Sequence, residues 1–347
     1  MQDIKELTLE ELKKFLKDKN FPEFHARQIF SWIYKQGISD FKEMSDLPAD
    51  LRGQLKEKFY LTSLKLVDKA QSRDGTEKFL FALSDKNFIE AVVIPTEKRI
   101  TSCISTQVGC KFRCRFCASG LSGFRRNLTC AEMLEEILYL KNNSQNNKLT
   151  HLVFMGIGEP LDNYDNVLKT IRIINSPHAF NFGARRITIS TCGIIPAIKR
   201  LSDEDLQIEL SISLHAANNL IRSQIMPINK IYPLKDLIKA CQEYIKKTNR
   251  QITFEYVLIK GVNSDLQNAI KLGRILQALR LSKVNLIPVN SIKELKVEPP
   301  NKLEILFFKD YLLKQGVNVT LRKPRGQDIE AACGQLRLGY ECAKESL

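Results

Sequence analysis

Three cysteines in the run Cys110-Lys111-Phe112-Arg113-Cys114-Arg115-Phe116-Cys117 stand at x-x-x and then x-x spacing. Thiolates this close in sequence are soft ligands for zinc or for an iron–sulfur cluster. A structural zinc site takes four ligands, and the sequence holds no second Cys-x-x-Cys and no His-x-x-x-His to complete one. Three thiolates on a four-iron cluster leave one iron open to a small molecule, an arrangement for chemistry. Three plain core cysteines fit poorly beside Lys111, Arg113 and Arg115.

Further along, Gly156-Ile157-Gly158-Glu159 follows an apolar run. A glycine there lets backbone approach a ligand, and a carboxylate accepts from an ammonium group. Without the cysteines the same residues read as an ordinary turn, and the third glycine of a dinucleotide fingerprint is missing. His215, taken alone, reads as a packed histidine. Cys130, Cys192, Cys241 and Cys342 fall where small apolar fillers are expected.

The elements that must position these groups follow from periodicity. Strands are expected at Ser102 to Val108, His151 to Met155, Arg186 to Ser190, Ile208 to Leu214, Ile252 to Ile259 and Val284 to Val289, with another candidate at Val317 to Leu321. Helices are expected near 130 to 142, 163 to 175, 194 to 201, 234 to 247, 265 to 279 and 301 to 315. Thr129 and Glu132 have the spacing of a capping box. Six strand–helix repeats imply an α/β fold with a parallel sheet, either an incomplete barrel or a doubly wound sheet, with chemistry at the carboxyl ends of the strands. Ahead of them, residues 1–62 read as a small helical module and 63–98 as a connecting β-hairpin, leaving 99–347 for the main body.

Of 347 residues, 44% are apolar and 27% charged, which excludes a mainly disordered or fibrous chain. A net charge of +14 favours polyanionic partners such as RNA. Charges near the N-terminus and the lack of a run of ~18 apolar residues argue against export and membrane spanning, so a cytoplasmic protein is expected. Nine cysteines, an odd number, do not suggest a disulfide framework.

The cluster loop resembles the Cys-x-x-x-Cys-x-aromatic-Cys signature of radical S-adenosylmethionine (SAM) enzymes, with Phe116 as the aromatic. Six further segments are similar to the RlmN family of RNA adenine C2-methyltransferases: Ser105 to Cys110, Met155 to Leu161, Ile189 to Pro196, Ser213 to Ala216, Met226 to Asn229 and Asp328 to Leu336. The resemblance implies an incomplete (β/α)6 radical-SAM barrel. It implies a [4Fe-4S] cluster on Cys110, Cys114 and Cys117, and two molecules of SAM per turnover. Gly158 and Glu159 would hold the SAM amino group, and Ser190, Ser213, Leu214, His215 and Asn290 would line its site.

An aromatic C2 carbon is too weak a nucleophile to displace a methyl group from SAM. By resemblance, Cys333 takes that methyl group, loses a hydrogen atom from it to a SAM-derived radical, and adds to C2. Cys103 would then resolve the adduct by closing a disulfide with Cys333, with Glu90 as base. On its own pattern Glu90 reads as a solvent-facing strand residue, and Cys342 competes as carrier but lacks the Ala-Cys-Gly-Gln setting.

Implied partners are 23S rRNA, tRNA and a flavodoxin or ferredoxin reductant, for a monomer away from membranes. Lys111, Arg113, Arg115, Arg125 and Arg126, together with Arg322, Lys323 and Arg325, suit a phosphate backbone. Phe21, Phe24, His25, Arg27 and Trp32 make the N-terminal module a candidate RNA-docking element. The alternative is a Cfr-type C8 methyltransferase conferring antibiotic resistance; Pro160 after Gly158-Glu159 favours the C2 family.

Overall fold

The computed structural model describes residues 1–121, 123–143, 149–292 and 294–336. The chain opens with β1 (Gln2–Asp3), α1 (Leu9–Asp18), α2 (His25–Ser31), α3 (Ala49–Lys58) and β2 (Phe59–Tyr60), which pairs in parallel with β1. Thr8 and Glu11 form a reciprocal capping box that starts α1. Leu12, Leu16, Ile29, Phe30, Leu51 and Leu55 are buried at the expected helical spacing.

Two side chains fasten this module to the rest of the protein. Lys5, 2% exposed, donates to Glu135 Oε1 and to the Thr62 carbonyl, both at 2.7 Å. Glu6 Oε1 accepts from Ala131 N at 2.7 Å. It thereby satisfies an otherwise orphan amide at the start of α4 (Cys130–Asn143).

The connecting hairpin expected within residues 63–98 forms as β4 (Glu77–Ala82) and β5 (Phe88–Pro95), and β3 (Lys65–Gln71) extends it to a three-stranded antiparallel meander. This meander is continuous with the main sheet, because β5 pairs with β6 (Ile100–Cys103). From β6 the sheet runs in parallel through β9 (His151–Phe154), β10 (Ile187–Thr191), β11 (Glu209–Ser213), β12 (Ile252–Leu258), β13 (Ser282–Pro288) and β14 (Val319–Leu321). Spatial order follows chain order without reversal, the topology of a barrel left open and not of a doubly wound sheet. Helices α4, α5 (Tyr164–Asn175), α6 (Ile195–Leu201), α7 (Asn219–Ile225), α8 (Leu234–Thr248), α9 (Leu266–Gln277) and α10 (Lys302–Lys314) make the crossovers.

Strand alternation sorts the side chains into two sets. Leu210, Ile212, Phe254, Tyr256 and Leu286 join the apolar core. Thr101, Ser211, Thr253, Glu255 and Asn285 line the lumen instead.

The strand expected over Ser102 to Val108 breaks in two. The chain leaves the sheet after Cys103, and β7 (Gln107–Gly109) pairs antiparallel with β8 (Phe124–Asn127). Local side-chain bonding replaces the ladder: Ser105 Oγ donates to the Glu90 carbonyl at 2.7 Å and accepts from Ile157 N at 3.0 Å. Gly109, at φ +75°, then turns the chain into the cysteine loop. A Cβ there would stand 1.7 Å from the Gly123 carbonyl oxygen, so only glycine fits.

Candidate active site

The cysteine loop is held from three sides. Cys110 N donates to Gly123 O (3.0 Å), Arg115 N to Ile225 O (2.9 Å) and Ala118 N to Gly334 O (2.7 Å). Arg113 adopts a left-handed conformation, φ +49°, within this turn. Burial pushes the Cys110 thiol up to about 12 and raises those of Cys114 and Cys117; Cys117 further opposes ionisation of Cys110 and Cys114, and Cys333 that of Cys117. Three neighbouring half-buried thiols that resist ionisation call for a cationic centre to hold them as thiolates. Among the described residues no three His, Cys, Asp or Glu side chains converge on a single ion position. A cluster with one thiolate per iron requires no such convergence.

The loop forms one wall of a cavity at the carboxyl ends of the strands. Cys110, Cys114 and Cys117 share it with Gly158, Glu159, Ser190, Ser213, His215, Asn290 and Cys333. Gly158 sits at φ +108°, and a Cβ on it would lie 2.6 Å from Gln107 Cβ. Gln107 Oε1 in turn accepts from Glu159 N (2.9 Å). The Glu159 carboxylate is pinned by Leu161 N (3.0 Å) and Cys192 N (2.7 Å), and burial raises its pKa against those amide donors.

His215 is neutral. Burial, aided by Arg222, lowers its pKa to about 3. Its Nδ1 faces the Val257 amide at 3.0 Å. Nδ1 is therefore the acceptor, and Nε2 carries the proton. The ring packs edge-on against Phe116, centroids 4.7 Å apart.

Leu214 differs from the expectation. Its side chain is fully buried in the core on the other face of the strand, so only its backbone is near the site. Neither Cys103 nor Glu90 lines this cavity. Cys103 is a buried free thiol, raised by burial and then by nearby Cys333, with Arg322 opposing. Glu90 is 3% exposed, not solvent-facing, and its carboxylate pairs with Lys78 at 3.2 Å. Alternation puts it on the face of β5 that carries Val92, the register partner of Cys103.

Cys333 is an exposed free thiol between buried Ala331, Ala332 and Gln335. Its strap is tied down at several points. Ser72 Oγ donates to Asp328 Oδ1 (2.6 Å), Gly326 N to Asp74 Oδ2 (3.0 Å), Asn290 Nδ2 to Cys333 O (3.0 Å) and Gln335 Nε2 to Ser291 O (3.1 Å). Asn290 thus fastens the strap as well as lining the cavity. Cys333 also borders a second cavity of about 710 Å³, the barrel lumen, whose walls include Arg99, His151, Arg185, Glu255, Asn285, Arg322 and Lys323. Cys342 lies outside the described residues.

Three functional candidates were not legible in the sequence. Cys192 lines the cluster-side cavity and is no mere filler. Arg222, fully buried, ties together the Leu214, Cys192 and Ser213 carbonyls. Arg322 lines both cavities, and neighbouring Cys333 outweighs burial in raising its pKa. It belongs to the interior and not to a phosphate-binding rim. Of the other basic residues, Lys111 pairs with Asp162 at 2.5 Å, and Arg126 with Asp85 (2.6 Å) and Glu132 (2.8 Å).

Residues 104–273 match the radical SAM superfamily, and residues 2–61 match the ribosomal RNA large subunit methyltransferase N-terminal domain. The chain is 46% identical to the "Probable dual-specificity RNA methyltransferase RlmN" of Caldanaerobacter subterraneus, over 98% of this chain and 99% of that protein. The chain belongs to the RlmN family of radical SAM methyltransferases. An RlmN relative carrying the same name in Clostridium novyi is likewise 46% identical, over 98% of this chain and 99% of its own. The crystal structure of a radical SAM methyltransferase from Sphaerobacter thermophilus superposes with a TM-score of 0.92 at 43% identity, covering 97% of this chain and all of that one.

Membership of this family makes the chain an enzyme that uses a [4Fe-4S] cluster and SAM. The residues present fit both groups: three half-buried thiols on one loop for the cluster, and a glycine-floored, carboxylate-edged cavity beside them for SAM. No helix among the described residues is long and apolar enough to cross a membrane.

Proposed function

We propose that this enzyme methylates C2 of an adenosine in the peptidyl-transferase region of 23S rRNA and of the adenosine just 3′ of the anticodon in some tRNAs, with Cys333 as methyl carrier. The observation that carries this reading is the position of Cys333 on the boundary of two cavities, one shared with the cluster cysteines and one opening through the barrel lumen. A thiol so placed can face a methyl donor on one side and a nucleobase on the other.

When bound, the cluster and two SAM molecules per turnover supply the methyl group and the hydrogen-abstracting radical. The chain does the rest. Cys110, Cys114 and Cys117 hold the cluster and leave one iron for SAM. Glu159 accepts from the SAM amino group over the space that Gly158 leaves open, while Ser190, Ser213 and His215 bound the remainder of the site. Cys333 takes the methyl group on sulfur and, once hydrogen has been removed from it, forms a carbon–carbon bond to C2. Glu90, on the Cys103 face of β5, accepts the C2 proton. Cys103 then attacks Cys333 sulfur: the carbon–sulfur bond breaks, the Cys103 proton passes to the departing methylene carbon to complete the methyl group, and the unpaired electron stays on the disulfide that forms; one electron from an outside reductant and two protons then restore both thiols. Both cysteines are free thiols in this structure, the state at the start of such a cycle.

A flavodoxin- or ferredoxin-type reductant, a cytoplasmic setting and a monomeric enzyme complete the reading. It is tested by anaerobic reconstitution, incubation with SAM bearing a deuterated methyl group, reductant and unmodified RNA, then nucleoside mass spectrometry. Labelled 2-methyladenosine that disappears with Cys333→Ala is expected. 8-Methyladenosine alone would move the enzyme to Cfr-type chemistry.

A further inference from the structure

One oxygen of Glu255 has no hydrogen-bond partner among the described residues. It lies in β12, 4% exposed, with Asn285 as its register partner on β13. Asn285 Nδ2 donates to Oε1 at 3.0 Å, whereas Oε2 is buried and has no hydrogen-bond partner. Glu255 lines both cavities that Cys333 borders. Glu136, the other buried carboxylate with an unpartnered oxygen, lines neither. A buried polar atom left unmatched at a cavity wall costs about 1–3 kcal/mol, and a ligand that matches it recovers that cost.

We propose that Glu255 reads the Watson–Crick edge of the target adenine, Oε2–H donating to ring N1 and Oε1 accepting from the N6 amino group. The proposal rests on the adenine-C2 reading above. Burial holds the Glu255 carboxyl above its ordinary range, with Arg322 first among the groups that oppose it, which lowers the cost of the protonated form that this pairing needs. An ionised carboxylate would offer two acceptors and repel the N1 lone pair. Donation from Asn285 keeps Oε1 an acceptor and reserves the proton for Oε2.

The pairing also selects the reacting carbon. C2 is bonded to N1, so a base held by its N1–N6 edge brings C2 to the wall where Glu255 and Cys333 meet, while C8 points away. A carbon radical on sulfur is electron-rich and adds fastest to electron-poor ring carbons. A hydrogen bond to N1 withdraws electron density from adjacent C2. In the addition, one C–C bond forms, one ring π bond opens and the unpaired electron passes to the ring; the proton stays on Glu255.

The test is a binding cycle on reconstituted enzyme with SAM, read by fluorescence anisotropy. The probes are anticodon stem-loop RNAs bearing adenosine, 1-deazaadenosine or 7-deazaadenosine just 3′ of the anticodon. Replacing N1 by C–H should weaken binding to the native enzyme about tenfold, as loss of one buried hydrogen bond does, and the 7-deaza probe should bind like adenosine. Glu255→Gln, whose amide keeps a donor and an acceptor, should preserve this discrimination. Glu255→Leu should abolish it. Equal affinity of the native enzyme for adenosine and 1-deazaadenosine overturns the proposal even if the leucine variant does not fold. So does undiminished discrimination by Glu255→Leu. Methyl transfer to the adenosine probe, measured alongside, separates the two readings: 2-methyladenosine without N1 discrimination removes only the role of Glu255, and absence of 2-methyladenosine from both tRNA and rRNA substrates removes the adenine-C2 reading with it.

Discussion

Arg222 is the largest fully buried side chain among the described residues, and replacing it with leucine tests how the site is braced. Its guanidinium spends four donor contacts: Nε to Leu214 O (3.1 Å), Nη1 to Asn229 Oδ1 (3.0 Å), and Nη2 to Cys192 O (2.8 Å) and Ser213 O (3.2 Å). Three of the four partners, Cys192, Ser213 and Leu214, follow or end the strands that carry the SAM-side residues, and Asn229 lies in the turn after α7. Leucine fills much of the volume and strands the acceptors. Each orphaned buried acceptor costs about 1–3 kcal/mol, but removing a guanidinium that burial itself disfavours offsets part of that, leaving a net loss of about 3–5 kcal/mol. Scaling unfolding entropy to a chain of this length gives roughly 1.4 °C per kcal/mol, so the melting temperature should fall by about 4–7 °C. Arg222→Lys keeps the charge but loses the planar fork, and should fall in between. Calorimetry on the reconstituted enzyme measures the shift, and titration with SAM should show affinity at least tenfold weaker. A leucine variant melting within about 1 °C of the parent with unchanged SAM affinity would refute the bracing argument.

Gly158→Ala should cost SAM affinity at least tenfold, because the new Cβ meets Gln107 at 2.6 Å and φ +108° suits only glycine; isothermal titration returning parental affinity would contradict this. Cys114→Ser should abolish the broad visible absorbance of a four-iron cluster after anaerobic reconstitution, and retention of full iron and sulfide content would remove Cys114 from the ligand set. His215 has a folded pKa of about 3 against about 6.5 unfolded, so its contribution to stability is complete above 6.5 and is lost as pH falls toward 3, at up to about 1.4 kcal/mol per pH unit. The stability gap between the parent and His215→Gln should therefore narrow between pH 6 and about 4, and a gap in urea midpoints that stays constant would show that the buried histidine is not the source.

Most of the barrel was readable because its elements obey one rule each. Parallel strands such as Ile252–Leu258 are rich in β-branched and aromatic residues that alternate with the lumen-facing Thr253 and Glu255, and helices such as Leu234–Thr248 carry one apolar stripe, so their bounds lie within a residue or two of expectation. The break after Cys103 escaped because Ser105 bonds locally through its side chain, a choice that depends on Glu90 and Ile157 arriving from distant segments. Helix α7 escaped for a related reason: seven residues capped by Asn218 give too short a period to see. At the site, spacing identified the cysteine loop, and family resemblance identified Glu159, His215 and Cys333. Arg322 was expected to meet a phosphate backbone, and nothing in the spacing singled out Arg222, whose carbonyl partners come from the ends of separate strands.

The same contrast explains how one thiol can serve two partners. Behind the cavity the walls are rigid: Asn263 donates to the His215 and Val257 carbonyls at 2.7 and 2.6 Å and accepts from Ile259 N at 2.7 Å, locking β12 to the end of β11. Arg222 does the same for β10 and β11. In front, Cys333 stands on an irregular strap that accepts hydrogen bonds from Ser72, Asn290 and Ala118 and donates to Asp74 and to the Ser291 carbonyl. In the proposed cycle the stiff walls would keep the SAM-side groups and the lumen carboxyl in register, while the thiol, on irregular backbone between the two cavities, would face each in turn. Carriage by a sulfur atom would then pass the methyl group from one cavity to the other without the strands that define either having to move.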